Sequence, residues 1–373
     1  MFMDPTSGSA NSVRPWAWPS FIETGTELTI PCHAPLPGID ADVIEIAVID
    51  VGSNSVRMEM SRFDPATRTF ISIPRAPEWS KSCGMAEGLS ESDLVLSREG
   101  VERTKATLAR FRNILAARGV RGVIALGTAA LRMVKDTPLG QTDIRSLENA
   151  LGRKIFVLDG RQEAILTGLG ILYGLFLVGH SRPGEGVCFG SGGASVEYLR
   201  LIERNGLIAI DYDNCGDFPI GALKLLGQTG GDHAAITDTV NFHLKNLSPL
   251  YSGHNSMMRV TGSNWREAVG TILRLYPELP HRDISDGSMV FQWNELARRL
   301  SDCRGRTAGD FAKVSDEKPE YRRLLPVSIA TLHAIGGHVQ PEDVTICPPA
   351  CSIRNGAIVE AYGSRFDMQK LAA

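Results

Sequence analysis

The pattern of hydrophobic and polar positions near the start of the chain predicts a β-hairpin followed by a helix. Residues 45–50 (EIAVID) form a short β-prone run that ends at a Gly-Ser-Asn turn, and residues 56–63 alternate apolar and polar positions as a returning strand does. Further on, apolar residues at helical spacing predict a helix over 97–117, with Ser97 as its N-cap.

The next segments alternate between strand and helix patterns. A strand is predicted at 122–126, a helix at 143–151, a strand at 154–158 and an apolar helix from about Arg161 onward. This order is typical of an α/β domain. The apolar stretch 165–179 has 15 residues, fewer than the ~20 needed to cross a bilayer, so we interpret it as a buried helix.

A second strand-turn-strand pattern begins at Gly186 and repeats the first. When residues 50–56 (DVGSNSV) are set over residues 190–196 (GSGGASV), the glycines, the second serines and the valines coincide. Such self-similarity predicts two domains of similar construction that face each other. The length of 373 residues also favours two domains over one core.

Composition and charge narrow the class of protein. Hydrophobic residues make up 43% and charged residues 22%, as in ordinary globular proteins. The formal net charge of -3 gives no electrostatic reason to expect nucleic acid or an anionic membrane as a partner. The opening segment has no basic start followed by an apolar run, so a signal peptide is not expected.

The seven cysteines are odd in number and mostly scattered, which predicts reduced thiols in the cytoplasm. Cys347 and Cys351 form one close pair, and His333 and His338 lie upstream at a spacing that zinc ligands can have. We favour a structural role for both pairs, because lone histidines near a Pro-rich turn more often reflect a coincidence of spacing.

Several residues are placed where they could carry chemistry. Turns of small residues expose consecutive backbone amides that can hold phosphate oxygens. Asp50 could approach a divalent cation there, or it could simply form the turn. Arg132 lies near a helix start, where it could reach a bound anion or remain solvated. Glu163 at the head of the apolar helix is either a favourable N-terminal charge or a general base.

Eight segments together resemble the exopolyphosphatase/guanosine-pentaphosphate phosphatase (Ppx/GppA) family. In chain order they are IDVGSNSVRM, GTAALR, GRQEA, FGSGGASVEYL, FPIGALKL, TGSNWR, RRLLP and SIRNGAI. The resemblance implies two ribonuclease-H-like α/β domains of the actin, heat-shock ATPase and sugar kinase superfamily, with a phosphate-binding cleft between them. It implies an N-terminal extension at 1–42, a first domain at 43–180 and a second at 181–373. The C-terminal helical (HD-like) extension of longer members is expected to be absent.

The resemblance also assigns roles to individual residues. It implies that Glu163 activates the attacking water and that Asp50 and Glu197 lie near a magnesium ion. The phosphate-binding residues that it implies are Gly52, Ser53, Asn54, Ser55, Arg57, Arg132, Gly192, Gly193, Ala194, Ser195, Gly262 and Ser263. Gly221 and Asn264 are expected on the floor of the cleft.

The chain departs from the family pattern at positions that matter for catalysis. The family's second loop reads Asp-x-Gly-Gly-Gly-Ser-Thr-Glu, whereas Gly190 replaces the aspartate here and Val196 replaces the threonine. Asn355 replaces a glutamate of the last motif, and residues 84–88 read GMAEG instead of Arg-Leu-Gly-Glu-Gly. A positioned acid or base can be worth ~10² to 10⁴ in rate, so the loss at 190 puts turnover in question.

Two functions therefore stay open, together with a weaker third. The first is a magnesium-dependent phosphohydrolase that removes a terminal phosphate from inorganic polyphosphate or guanosine pentaphosphate. The second is a catalytically weakened, non-enzymatic sensor of such a ligand. A sugar-kinase-like phosphotransferase is disfavoured because no acceptor-sugar motif is evident. The expected partner is a polyphosphate or guanosine polyphosphate ligand, with no nucleic acid and no membrane, and a homodimer is an open alternative.

Overall fold

The computed structural model describes residues 44–363, apart from gaps at 65–68, 74–75, 77–78, 90–92, 121, 178–183, 205–206, 246, 248–256, 285–286 and 316–318. The proposed extension at 1–42 lies outside the described residues. Within them, no helix is both long enough and apolar enough to cross a membrane.

The first half of the chain forms a mixed sheet with helices. Its strands run in the order β3-β2-β1-β5-β6, with β4 beside β2. The strands are β1 (Ile44–Val51), β2 (Ser55–Asp64), β3 (Thr69–Ser72), β4 (Ser80–Ser82), β5 (Gly122–Gly127) and β6 (Phe156–Val157). The helices are α1 (Arg98–Arg118), α2 (Ala129–Val134), α3 (Pro138–Leu151) and α4 (Gly160–Leu177). The predicted hairpin is confirmed, since β1 and β2 pair antiparallel.

Local capping explains where these helices begin. The Ser97 hydroxyl accepts a hydrogen bond from the Gly100 backbone N–H at 3.2 Å, so α1 starts where the sequence predicts. Helix α3 starts five residues earlier than the predicted 143, because Thr137 accepts from the Gly140 N–H at 3.0 Å and Pro138 occupies the first turn.

The second half forms a second mixed sheet, in the order β11-β12-β13-β10-β7-β8-β9. Its strands are β7 (Gly186–Ser191), β8 (Val196–Arg204), β9 (Leu207–Phe218), β10 (Met257–Thr261), β11 (Arg282–Asp283), β12 (Met289–Gln292) and β13 (Asp343–Ile346). Its helices are α5 (Ala222–Thr229), α6 (His233–Leu244), α7 (Ser263–Leu275), α8 (Trp293–Asp302), α9 (Pro319–Arg322), α10 (Leu325–Val339) and α11 (Ile353–Gly363).

The two sheets share one arrangement of strands, as the internal repeat predicts. In the first sheet, β1 pairs antiparallel with β2 on one side and parallel with β5 on the other. In the second sheet, β7 pairs antiparallel with β8 and parallel with β10. The turns therefore occupy equivalent places in the two sheets, each at the carboxyl end of an inner strand, β1 or β7.

Helices α4 and α11 lie between the two sheets and pack against each other. Helix α4 also contacts β8 and β9, and α11 contacts β1, so the last helix returns to the first half of the chain. A Cβ atom on Gly170 would overlap the Ser352 carbonyl oxygen, and one on Gly356 would overlap the Leu166 carbonyl oxygen. The close approach of these helices therefore requires glycine at both positions.

Candidate phosphate-binding cleft

A cleft of about 290 Å³ lies between the turn after β1 and the turn after β7. It collects most of the predicted site residues, together with Gly190 and Asn264. The predicted residues that line it are Asp50, Gly52, Ser53, Asn54, Ser55, Arg57, Glu163, Gly192, Gly193, Ser195, Glu197, Gly262 and Ser263. Arg132 and Ala194 are not among the residues that line it.

The first turn is closed by a hydrogen bond from the Gly52 backbone N–H to the Ser55 carbonyl oxygen at 3.1 Å. The Asn54 carbonyl accepts from the backbone N–H groups of Cys83 and Gly84 at 2.7 and 2.9 Å. The carbonyl dipole of Asn54 is thus directed at the 83–84 segment. A carbonyl oxygen directed into the turn would repel an anion there. Because the Asn54 carbonyl is already bonded to the 83–84 segment, the turn is better suited to bind an anion.

The second turn is closed by the same bond, from the Gly192 N–H to the Ser195 carbonyl oxygen at 3.0 Å. The Gly193 carbonyl accepts from the Leu223 N–H at 2.8 Å, at the start of α5. Gly221 packs directly against this turn, and a Cβ atom there would overlap the backbone of Ala194. The small residue at 221 therefore shapes the second turn from behind.

The two turns face each other at contact distance. A Cβ atom on Gly193 would lie 3.2 Å from the Cβ of Ser53 and 3.3 Å from that of Asn54. Arg57 on β2 bridges the two halves as well, because it donates to the Ser263 hydroxyl at 2.7 Å. A ligand in the cleft would therefore meet backbone and side-chain donors from both halves.

Glu163 lies buried at the wall of the cleft, with 6% of its surface exposed. Its Oε2 accepts a hydrogen bond from Nη1 of Arg132 at 2.7 Å. Burial is the main cause that raises the pKa of this carboxyl to about 7; the Arg132 guanidinium opposes the rise, and Asp50 and Asp217 add to it. A carboxyl that titrates near neutral pH in a cleft is suited to accept a proton from water.

Glu197 lies on β8, opposite Gly190 on β7. Its Oε1 accepts from the Ser195 hydroxyl at 2.5 Å, and burial together with the nearby Glu163 raises its pKa well above the usual range. A Cβ atom on Gly190 would lie 2.9 Å from the Glu197 Oε2 atom. The Glu197 carboxylate therefore covers Gly190, and an aspartate at 190 would require Glu197 to move.

Asp50 is joined to the last helix through a buried arginine. Arg354 on α11 donates from Nη1 to Asp50 Oδ2 at 3.4 Å and from Nε to Glu59 Oε2 at 3.0 Å. Burial raises the pKa of Asp50, while Arg354 and Arg57 oppose that rise. The arginine thus sets the orientation of the carboxylate nearest the first turn.

The carboxylates of the cleft could hold magnesium only if water and the oxygens of a bound phosphate complete its coordination. Across the described part of the chain, no group of three or more His, Cys, Asp or Glu side chains is arranged to hold a metal ion. Magnesium in phosphate sites typically uses one or two carboxylates and completes its octahedron with water and phosphate oxygens. Asp50 and Glu197, which both line the cleft, fit that donor set.

Two residues of the site had no predicted role. Asp217 lies on β9 opposite Glu197, and it accepts from Arg132 Nη2 at 2.5 Å. Arg354 lies within the SIRNGAI segment, next to Asn355, but the sequence pattern gave it no role. The signal for Asp217 would have been the pairing of β8 with β9, which turns a distant residue into a neighbour.

The structure has two α/β halves, each built on a mixed sheet, with the paired turns facing each other across a cleft. The chain belongs to the Ppx/GppA phosphatase family, whose sequence model matches residues 80–362. The match begins after the first hairpin. Similar structures include an exopolyphosphatase from Cytophaga hutchinsonii, with 17% identity, coverage of 86% of this chain and 98% of that chain, and a TM-score of 0.70.

Another similar structure is the Ppx/GppA family member from Aquifex aeolicus, with 17% identity, coverage of 87% of this chain and 99% of that chain, and a TM-score of 0.64. A third similar structure is that of an exopolyphosphatase-like protein, with 15% identity, coverage of 89% of this chain and 100% of that chain, and a TM-score of 0.68. At such identities the likeness establishes the shared fold.

Proposed function

We propose that this protein is a phosphohydrolase that removes the terminal phosphate from inorganic polyphosphate or guanosine pentaphosphate. The observation that carries the proposal is Glu163, a buried carboxyl with a pKa of about 7 at the wall of the cleft. Membership of the Ppx/GppA phosphatase family supports the same reaction class. The substrate itself is part of the proposal.

The residues of the cleft would divide the work between binding and proton transfer. The two turns and Arg57 hold the phosphate oxygens, and Glu163 takes a proton from a water molecule. The water oxygen bonds to the terminal phosphorus as the bridging P–O bond breaks, and the shortened phosphate chain leaves with that bridging oxygen. Magnesium near Asp50 and Glu197 would neutralise charge on the phosphate oxygens when it is bound.

The second candidate is a sensor that binds the same ligand without turnover. Gly190 favours it, because the cleft lacks a carboxylate where the family pattern has one. Glu163 and Glu197 favour the enzyme, because both carboxyls line one cleft. We also propose a cytoplasmic location, which agrees with six described cysteines that form no disulfide bond. A homodimer stays an open prediction.

Phosphate release tests the proposal. We expect purified protein to release phosphate from inorganic polyphosphate or guanosine pentaphosphate with magnesium present, and to lose release when EDTA removes the metal. Readdition of magnesium should restore it, which controls for damage by the chelator. Binding of either compound by calorimetry without any release would instead favour the sensor, and neither binding nor release would exclude both.

The pH dependence of turnover provides a further prediction. Glu163 must be deprotonated to accept a proton, so kcat/KM should fall as the pH drops below about 7, the pKa of this carboxyl, by about tenfold per pH unit. An ordinary glutamate would stay ionised down to about pH 5. The measurement is kcat/KM from pH 5 to 9 at saturating magnesium, and a flat profile down to pH 5 contradicts the assignment.

A further inference from the structure

Asp217 brings a carboxylate to the site from outside the predicted motifs. It lies opposite Glu197 in the β8–β9 pairing, and Glu197 in turn lies opposite Gly190 in the β7–β8 pairing. Directly opposed residues point to the same face of a sheet. Two strand spacings separate positions 190 and 217, which is roughly 10 Å. Asp217 therefore cannot occupy the place of the missing aspartate, although it shares the same face.

The partner of Asp217 is the guanidinium of Arg132, which it shares with Glu163. Arg132 donates from Nη2 to Asp217 Oδ2 at 2.5 Å, from Nη1 to Glu163 Oε2 at 2.7 Å and from Nη1 to the Leu158 carbonyl oxygen at 3.1 Å. Arg132 does not line the cleft, whereas Glu163 does. The arginine is thus held beside the Glu163 carboxyl, with a carboxylate acceptor on each side of its guanidinium.

The structure makes room for this contact at the start of α4. A Cβ atom on Gly160 would overlap Asp217 Oδ1, so only glycine at this position leaves space for the carboxylate. The first turn of α4 is capped by other groups, since Asp159 Oδ1 accepts from the Gln162 N–H at 2.7 Å and Gln162 Oε1 accepts from the Asp159 N–H at 2.9 Å. This reciprocal pair is a capping box in form. Asp217 is therefore not needed to cap the helix.

We infer that Asp217 is a positioning residue, which fixes Arg132 and through it holds the Glu163 carboxyl at the cleft wall. The inference rests on the proposed function for Glu163. A fixed partner that orients a base is a recurrent arrangement in sites that activate nucleophiles. This chain lacks the carboxylate at 190, and Asp217, two strands away, acts on the site through Arg132 instead. The family resemblance gives Arg132 another role, contact with the phosphate. If Arg132 binds the phosphate, loss of Asp217 should weaken substrate binding; if Arg132 positions Glu163, substrate binding should change little.

Asp217→Asn, which removes the charge and keeps the shape, tests the inference first. We expect kcat to fall roughly 10-fold, as for the loss of one hydrogen bond to a charged group, with KM changed less than twofold. Asp217→Ala should lower kcat further. Gly160→Ala, which displaces the carboxylate without changing a charge, should reproduce the effect. Asp213→Asn, an exposed aspartate on the same strand, is the matched control and should leave kcat unchanged.

A double-mutant cycle shows whether Asp217 acts through Arg132. In an Arg132→Gln background, Asp217→Asn should change kcat less than twofold, because coupled residues are not additive. A fully additive loss would assign Asp217 a general structural role and overturn the inference. So would a rise in KM, with weaker binding of magnesium tripolyphosphate by calorimetry and kcat unchanged, since that result makes Arg132 a phosphate ligand.

A readout without turnover separates this inference from the proposed function. In protein labelled with ¹³C-glutamate, the Glu163 carboxyl signal, assigned by its loss in Glu163→Gln, should shift in Asp217→Asn and stay in place in Asp213→Asn. If the unmodified protein releases no phosphate and the signal still shifts, the hydrolase proposal fails while the positioning contact stands. If phosphate is released and neither kcat nor the signal responds to Asp217→Asn, the inference alone fails.

Discussion

Glu163→Gln should lower kcat for phosphate release by ~10² to 10⁴, with KM within a few-fold of the unmodified protein. Glutamine keeps an oxygen that can accept from Arg132 at the place of the present 2.7 Å bond, so the fold and the cleft should persist. It cannot accept a proton from water near neutral pH. The measurement is steady-state release from inorganic polyphosphate and guanosine pentaphosphate, with melting temperature as the check on folding.

A matched control for this variant is Glu102→Gln. Glu102 is an exposed residue of α1 that pairs with Lys105, so its neutralisation should leave kcat unchanged and alter stability little. Unchanged turnover in Glu163→Gln would remove Glu163 from the mechanism. A collapse of tripolyphosphate binding at full kcat would make it a ligand contact instead.

Arg354→Met should destabilise the protein by about 3–5 kcal/mol. Arg354 is only 4% exposed and joins two carboxylates of the first sheet, Asp50 at 3.4 Å and Glu59 at 3.0 Å. Removal of the guanidinium leaves both carboxylates in a buried region without that counter-charge, which costs more than the pair itself contributes. Urea denaturation followed by circular dichroism measures the change in free energy of unfolding.

Two further variants check that charge burial causes this loss. Adding Glu59→Gln to Arg354→Met removes one of the stranded charges and should recover part of the stability. Arg62→Met, on β2, removes an arginine whose side chain is 54% exposed and which pairs with Glu45, so it should cost no more than about 1 kcal/mol. Equal losses in both single variants would show that burial of the partners is not what matters.

Local patterns in the sequence were enough to predict the parts of the fold that depend on neighbours in the chain. The hairpin of β1 and β2, its repeat in β7 and β8, and the start of α1 at Ser97 all follow from alternation, turn residues and a cap within a few positions. The internal repeat predicted that the two turns face each other, and the family resemblance placed Glu163 at the same site. These features need no knowledge of distant pairing.

The residues that the sequence did not identify depend on pairing between distant segments. Asp217 meets Arg132 across 85 positions of the chain, and Arg354 meets Glu59 across 295. Neither pair can be read from spacing, because the pairing of β8 with β9 and the return of α11 to β1 decide them. Gly190 is a similar case. The sequence shows that a carboxylate is missing at this position, but it does not show that the Glu197 side chain covers Gly190.

The glycine contacts between α4 and α11 limit how the two halves can move. Backbone atoms of the two helices already touch at Gly170 and Gly356, so neither helix can approach the other more closely. We therefore expect the cleft to narrow by rotation about this crossing, since the two helices cannot move closer together.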